Sequence, residues 1–391
     1  MSVPFSRTPA DIQSSKVAEL SSRLHTRFAF RLFHELLRAG DAPNIFFSPS
    51  SIMLCLGLVR ELASGETQQS MGKALEISDL DEAGIESEIS TLMSAFNTPT
   101  NAAISVANAL FLGRHAQIAA ALQAKLSARY GAELTGIDFS SPEAVATINA
   151  WVNDKTKGKI TKIVQQLSPL AALVALNAVY FKSGWLNPFR KVLTRDKAFR
   201  TASGATKQVP MMMQNREYKY YEDDQIQVAA LPYRGNTSMY ILLPAADADM
   251  AQFRQDLNSG LCESWMSKLR SAPGTIQLPR FRVDYGAELN SALKALGMAR
   301  AFDPKSAEFA HVQTDLLPIW IDRVMHRAVV EVNEEGTEAA AATVVKMFLG
   351  AAFPQKPPKH FQMIVDHPFV ALIRDEATKA ILFMGWIGDP Q

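Results

Sequence analysis

The residue types that could do chemistry are present, but not in catalytic arrangements. Seven histidines are scattered over 391 residues with no His-Glu-x-x-His spacing, so no pair one helical turn apart is set to hold zinc. Gly158-Lys159 resembles the end of a phosphate loop, yet Ile160 stands where Ser or Thr would meet Mg²⁺ and no upstream glycine is correctly spaced. A Gly-x-Ser-x-Gly elbow does not occur. Met211-Met212-Met213 reads as strand and core packing rather than a copper site. Cys55 and Cys262 make neither a Cys-x-x-Cys pair nor a disulfide framework, and Cys55, inside the apolar run 52–59, reads as a small buried hydrophobe. Lys155, Lys157, Lys159 and Lys162 read as a solvated helix end. The expectation is a chain that is not an enzyme and carries no metal and no cofactor.

Composition narrows the partners. Forty Lys+Arg against 39 Asp+Glu leave a net charge of +1, which provides no basic footprint for nucleic acid. The longest apolar run, 170–181, is interrupted by Asn177 and falls short of the ~18 residues of a membrane span. Residues 1–13 lack an apolar core after a basic start, so no secretory signal is visible. The expectation is an intracellular protein or a mature or truncated secreted chain.

Apolar spacing predicts helices over 14–39, 48–63, 67–75, 82–96, 116–129 and 142–155. Strand patterns follow over 174–181, 225–231, 238–243, 275–283 and 319–332, and a hairpin over 369–373 and 381–386. Helices first and strands afterwards suit an α+β fold. With no Pro/Gly/Ser linker and no internal repeat, a single domain over 1–391 is expected.

One segment does not fit this order. Residues 333–367 lie between the last long strand and the hairpin, and a structureless loop of that length is uncommon in a compact domain. Gly336 is a candidate hinge because glycine tolerates backbone angles that other residues do not. At period two, Thr337, Ala339, Ala341, Thr343, Val345, Met347 and Leu349 share one uncharged face, while Glu338 and Lys346 fall on the other with Ala340, Ala342 and Val344. The alanine run also favours helix, so local propensity does not select one state.

These residues carry a family resemblance. Glu334-Glu335-Gly336-Thr337-Glu338-Ala339-Ala340-Ala341-Ala342-Thr343 resembles the reactive-centre-loop hinge of inhibitory serpins. Residues 44–52 (Asn-Ile-Phe-Phe-Ser-Pro-Ser-Ser-Ile), Ile148-Asn149-x-Trp151-Val152, Asn177-Ala178-Val179-Tyr180-Phe181-Lys182 with Trp185, Leu231-Pro232-Tyr233 and Asp366-His367-Pro368-Phe369 follow in the family's order. The resemblance spans about residues 16–390. It implies helices packed on three mostly antiparallel β-sheets, with an exposed reactive-centre loop at about 334–360.

By resemblance, the chain is a monomeric suicide-substrate inhibitor whose partner is a serine protease. The protease forms an acyl-enzyme at a bait bond, and the freed limb then inserts as a central strand of the main sheet, so that deacylation stalls. The alternatives are a non-inhibitory carrier or chaperone, or an inhibitor of a cysteine protease. The resemblance further implies a shutter of Ser48, Ser51, Asn177 and His326 beneath the sheet, Trp185 at the breach where insertion begins, and Arg280 as ion-pair partner of Glu334. Family spacing puts the scissile carbonyl sixteen residues after Glu334, giving Gly350–Ala351. Glycine fills no primary pocket, so specificity rests on Phe348 and Leu349, and an elastase-like or chymotrypsin-like target is expected. Lys346 lies four residues too early and Lys356 precedes Pro357, which disfavours a trypsin-like one. The stretch corresponding to the family's heparin-binding helix, 79–97, is acid-rich without Lys or Arg, so heparin is not expected to bind.

Overall fold

The structure, a computed structural model, describes residues 9–40, 42–97, 102–314, 318–337 and 360–390. Its helices are α1 (Pro9–Arg38), α2 (Pro49–Leu62), α3 (Gly65–Ala74), α4 (Glu82–Asn97), α5 (Ala120–Tyr130), α6 (Ala144–Lys155), α7 (Met250–Asp256), α8 (Ser259–Lys268) and α9 (Asn290–Leu293). The first strands are β1 (Asn44–Phe47), β2 (Ala102–Gly113), β3 (Ala116–Gln117), β4 (Ala132–Ile137) and β5 (Leu173–Gly184). The middle of the chain supplies β6 (Arg195–Arg200), β7 (Thr206–Glu222), β8 (Ile226–Pro232), β9 (Thr237–Pro244), β10 (Arg270–Pro279) and β11 (Phe281–Glu288). Then come β12 (Gln313–Thr314), β13 (Ile321–Asn333), β14 (Gly336–Thr337), β15 (Phe361–Ile364), β16 (Phe369–Asp375) and β17 (Ile381–Ile387). They form a nine-stranded sheet, a six-stranded sheet ordered β11-β13-β14-β5-β2-β4, and the short pair β12-β3. Antiparallel pairings dominate; β2–β4, β5–β13 and β10–β15 are parallel.

The six-stranded sheet is covered on both sides, which explains why β5 reads as one apolar run rather than an alternation. Its alternate side chains separate by face. Leu173, Ala175, Val179 and Phe181 join the main core under α2, whereas Val174, Leu176, Ala178 and Tyr180 meet Ile148 and Val152 of α6. Asn177 is the polar interruption on the main-core face. Ser48 caps α2, accepting from the Ser51 amide, and Pro49 occupies the first turn, where its missing N–H costs nothing.

Several expectations need correction. The helix expected over 116–129 begins only at Ala120, because Ala116–Gln117 pairs with Gln313–Thr314. The strand expected over 275–283 is two strands in two sheets. Pro279 ends β10; the Arg280 amide still reaches the Pro210 carbonyl of β7 at 2.8 Å, and Phe281 then enters the other sheet opposite Val332. Both ends of the stretch expected as a loop over 333–367 are strands, Gly336–Thr337 at one and Phe361–Ile364 at the other. Phe361 stacks on Tyr220 at 3.6 Å, and Gly336 and Thr337 are buried in the six-stranded sheet rather than exposed. Cys55 and Cys262 are both buried, and burial pushes each thiol up to about 12, so both remain protonated.

Candidate functional site: the seam of the six-stranded sheet

β5 and β13 run parallel and pair directly, from Ile321 opposite Leu173 up to Val329 opposite Tyr180. Above that point the two strands part, and β14 fills the gap, antiparallel to both. Thr337 lies opposite Val332 on one side and Ser183 on the other; Gly336 lies opposite Asn333 and Gly184. The seam is therefore already opened by two residues at its top.

Three contacts hold that opening. The Thr337 hydroxyl lies 2.9 Å from the Tyr233 hydroxyl, with both residues buried, and burial pushes the Tyr233 phenol well above its usual range, so it keeps its proton. Trp185 stacks on Tyr233 at 4.3 Å and donates from Nε1 to the Asn333 carbonyl at 2.9 Å. Gly336 has φ +141°, and a Cβ there would come within 2.2 Å of the Ser183 carbonyl oxygen, so glycine is required both by conformation and by close approach.

The turn entering β14 is fixed by charge. Glu334 is 1% exposed; its carboxylate accepts from Arg280 Nε at 2.8 Å, from Arg280 Nη2, and from Thr194 Oγ1 at 2.5 Å. Burial alone would raise this carboxyl, but the Arg280 and Thr194 hydrogen bonds outweigh it and hold Glu334 below the ordinary range. Lys191 Nζ reaches Glu335 Oε1 at 2.6 Å on the exposed side. The structure thus brings Trp185, Arg280, Glu334, Glu335, Gly336 and Thr337 together at the top of the seam.

Lower down, Ser48, Ser51, Asn177 and His326 also converge. His326 lies directly opposite Asn177 across the seam, and Asn108 of β2 lies opposite Asn177 on the other side, so one polar rung crosses three strands. The Ser48 amide points at His326 Nε2 at 3.3 Å, which makes that nitrogen the acceptor; Nδ1 then carries the proton and donates to Asn177 Oδ1 at 2.6 Å. Asn177 Nδ2 donates to Ser51 Oγ and to Asn108 Oδ1 at 2.5 Å, and Ser48 Oγ donates to the Leu382 carbonyl at 2.6 Å. Asn108 escapes sequence reasoning because both faces of β2 are apolar; the one signal is a lone amide in the run 102–113.

His326 is fully buried, and burial holds its pKa down to about 3. In the unfolded chain it takes up a proton near pH 6.5. Its contribution to stability is present in full above that value and is lost as pH falls from about 6.5 through about 3. Between pH 7 and pH 5 the wild type should lose about 2 kcal/mol more than His326→Gln. Urea unfolding of both proteins at the two pH values checks this; equal losses would show that the imidazole does not titrate as described.

Glu338, Ala339, Ala340, Ala341, Ala342 and Thr343 of the hinge lie outside the described residues, as do Phe348, Leu349, Gly350 and Ala351. Among the described residues there is no group of three or more His, Cys, Asp or Glu side chains able to hold a metal ion, and no helix is long and apolar enough to cross a membrane.

Comparison with known proteins adds the lineage. Residues 23–390 match the family model for the serpins, described as serine protease inhibitors. The pig leukocyte elastase inhibitor (Sus scrofa) is 33% identical over 386 residues, covering 95% of this chain and all of that protein. A serpin-like protein of Thermococcus kodakarensis is 36% identical over 371 residues, covering 93% of this chain and 84% of its own length. Among solved structures, human thyroxine-binding globulin in complex with thyroxine superposes with a TM-score of 0.86 at 28% identity, over 96% of this chain and 99% of that one. With the family model matching residues 23–390 and relatives above 30% identity covered over most of their length, the chain belongs to the serpin family.

Proposed function

We propose that this serpin inhibits serine proteases by extending β14 down the seam between β5 and β13. The observation that carries this reading is the register of the two residues already seated. Thr337 opposes Val332 and Ser183, so each further residue steps one position down both neighbours. Continued in that register, Thr343 arrives opposite Asn177 and opposite His326 together, and Met347 arrives opposite Leu173 at the foot of the seam. The seam has room for the limb up to about residue 348, close to the proposed bait bond at Gly350–Ala351.

Both faces of that strand suit the places they would occupy. Ala339, Ala341, Thr343 and Val345 would follow Thr337 on the main-core side, opposite Phe181, Val179, Asn177 and Ala175. Ala340, Ala342 and Val344 would lie on the α6 side, opposite Tyr180, Ala178 and Leu176. Glu338 would come opposite the partly exposed Lys182. Insertion exchanges one parallel seam for two antiparallel ladders, the more stable pairing per residue. Eleven residues beyond Thr337 at ~3.4 Å each carry an attached protease about 37 Å.

The residues flanking the bait bond, Phe348 and Leu349, favour an elastase-like or chymotrypsin-like target, and the acidic face of α4, where Glu82 and Glu86 pair with Arg129, supports a mechanism without heparin. Incubation with elastase, chymotrypsin and trypsin followed by denaturing electrophoresis tests the reading. A complex surviving denaturation is expected with one of the first two, and mass spectrometry of the released C-terminal peptide should place the cut at 350–351. Clean cleavage without a complex would instead support a non-inhibitory carrier.

A further inference from the structure

Away from the seam, the loop that follows β5 and residues 214–219 of β7 border a groove of about 580 Å³, bounded on its other side by β8, β9 and the turn after β16. That volume lies within the range of small-molecule sites. The interior is aromatic: Trp185, Tyr218, Tyr233 and Tyr240 line it. Their polar ends are fixed. Tyr218 donates to Gln214 Oε1 at 2.9 Å and Tyr240 to Glu376 Oε1 at 2.6 Å, while Gln214 Nε2 is committed to the Asn187 and Pro188 carbonyls.

Two features on this lining are unanswered by the fold. Leu186 is 56% exposed at the rim, a large apolar side chain left uncovered by the described residues. Thr237 is 5% exposed, and its hydroxyl has no hydrogen-bond partner among the described residues.

Charge decides the class of that molecule. Glu376 is already engaged by Tyr240 and by Lys379 Nζ at 3.2 Å. The remaining charged side chains of the lining are the exposed Arg216, Lys219 and Glu217; among the described residues Arg216 donates to the neutral Asn187 side chain at 2.8 Å and Lys219 makes no ion pair. The balance is one positive charge in excess over an aromatic floor.

We propose that this groove is a binding site for a small aromatic anion, a molecule with one or two fused or linked rings and a single carboxylate or sulfonate. Its rings lie against Tyr218, Tyr240 and Leu186, and its acid group faces Arg216 and Lys219. Trp185 and Tyr233 form the wall toward the hinge, so the ligand sits one aromatic layer from Thr337. The site is independent of the inhibitory reading, since binding is measured without a protease.

The test uses the full chain and 8-anilinonaphthalene-1-sulfonate as probe, followed by its own emission and by quenching of tryptophan emission. One saturable site is expected. Reversing both charges, Arg216→Glu with Lys219→Glu, should weaken binding at least about 10-fold. Leu186→Glu, on an equally exposed side chain, should weaken it comparably while leaving the unfolding midpoint unchanged. The uncharged analogue N-phenyl-1-naphthylamine should bind more weakly than the sulfonate. Absence of saturable binding, equal affinity for the neutral analogue, or affinity unaltered by both sets of substitutions would overturn the proposal.

Discussion

On the proposed insertion mechanism, replacing Thr337 with arginine should turn an inhibitor into a substrate: the protease that the wild type traps cuts the loop at the wild-type rate, and no complex survives denaturation. Thr337 is wholly buried between β5 and β13, with its hydroxyl against Tyr233 and the Trp185 ring stacked behind. A guanidinium at that position is a buried charge without a carboxylate to meet it, a cost of several kcal/mol. Insertion and deacylation compete for the same acyl-enzyme, so a penalty of about 3 kcal/mol on the first steps of insertion slows it roughly 100-fold and hydrolysis wins. The measurement is the ratio of complex to cleaved chain on a denaturing gel. Complex formation unchanged in Thr337→Arg would mean that the top of the seam is not the route of insertion.

Asn177→Ala should have the second largest effect, and on a different property. The Asn177 side chain joins His326 of β13, Asn108 of β2 and Ser51 of α2, so it spans the seam that insertion has to open. Truncation leaves three buried polar groups without their partner, which costs about 2–4 kcal/mol. The same bond is lost when a strand enters between β5 and β13, and in the extended register Thr343 arrives at this rung with a hydroxyl that can serve both sides. The substitution should therefore lower the unfolding midpoint of the uncut protein by several degrees and speed spontaneous change of form on warming. Differential scanning calorimetry together with native electrophoresis after mild heating reads both. An unaltered midpoint would show that the polar rung through Asn177 does not hold the seam closed.

How much of this was legible in the sequence follows from what each position has to satisfy locally. The Glu334–Arg280 pair and the group Ser48, Ser51, Asn177 and His326 were nameable because they sit in motifs of resemblance, and their geometry then gives each a physical task. Asn108 was not, since β2 is covered on both faces and shows no alternation from which a polar residue could stand out. The break between β10 and β11 was hidden because the apolar pattern runs on through Pro279, and only the transfer from one sheet to another ends the strand there. β7 carries no such signal over most of its length for the opposite reason: much of it is exposed, and its polar and apolar residues follow no clean period. The docking of Gly336 and Thr337 could not be read either. Their sequence fits a loop and a strand equally, and what selects the strand is the gap that β5 and β13 leave above Tyr180 and Val329.

On the proposed mechanism, the seam of the six-stranded sheet is an unfilled strand position whose missing strand is the chain's own segment after Thr337. The most direct test is the thermal unfolding midpoint of the chain before and after proteolytic cleavage between residues 348 and 351, with the N-terminal limb still attached. If the freed limb enters the seam and completes two antiparallel ladders, the midpoint should rise by about 10 °C or more. A midpoint that stays the same or falls on cleavage would contradict insertion.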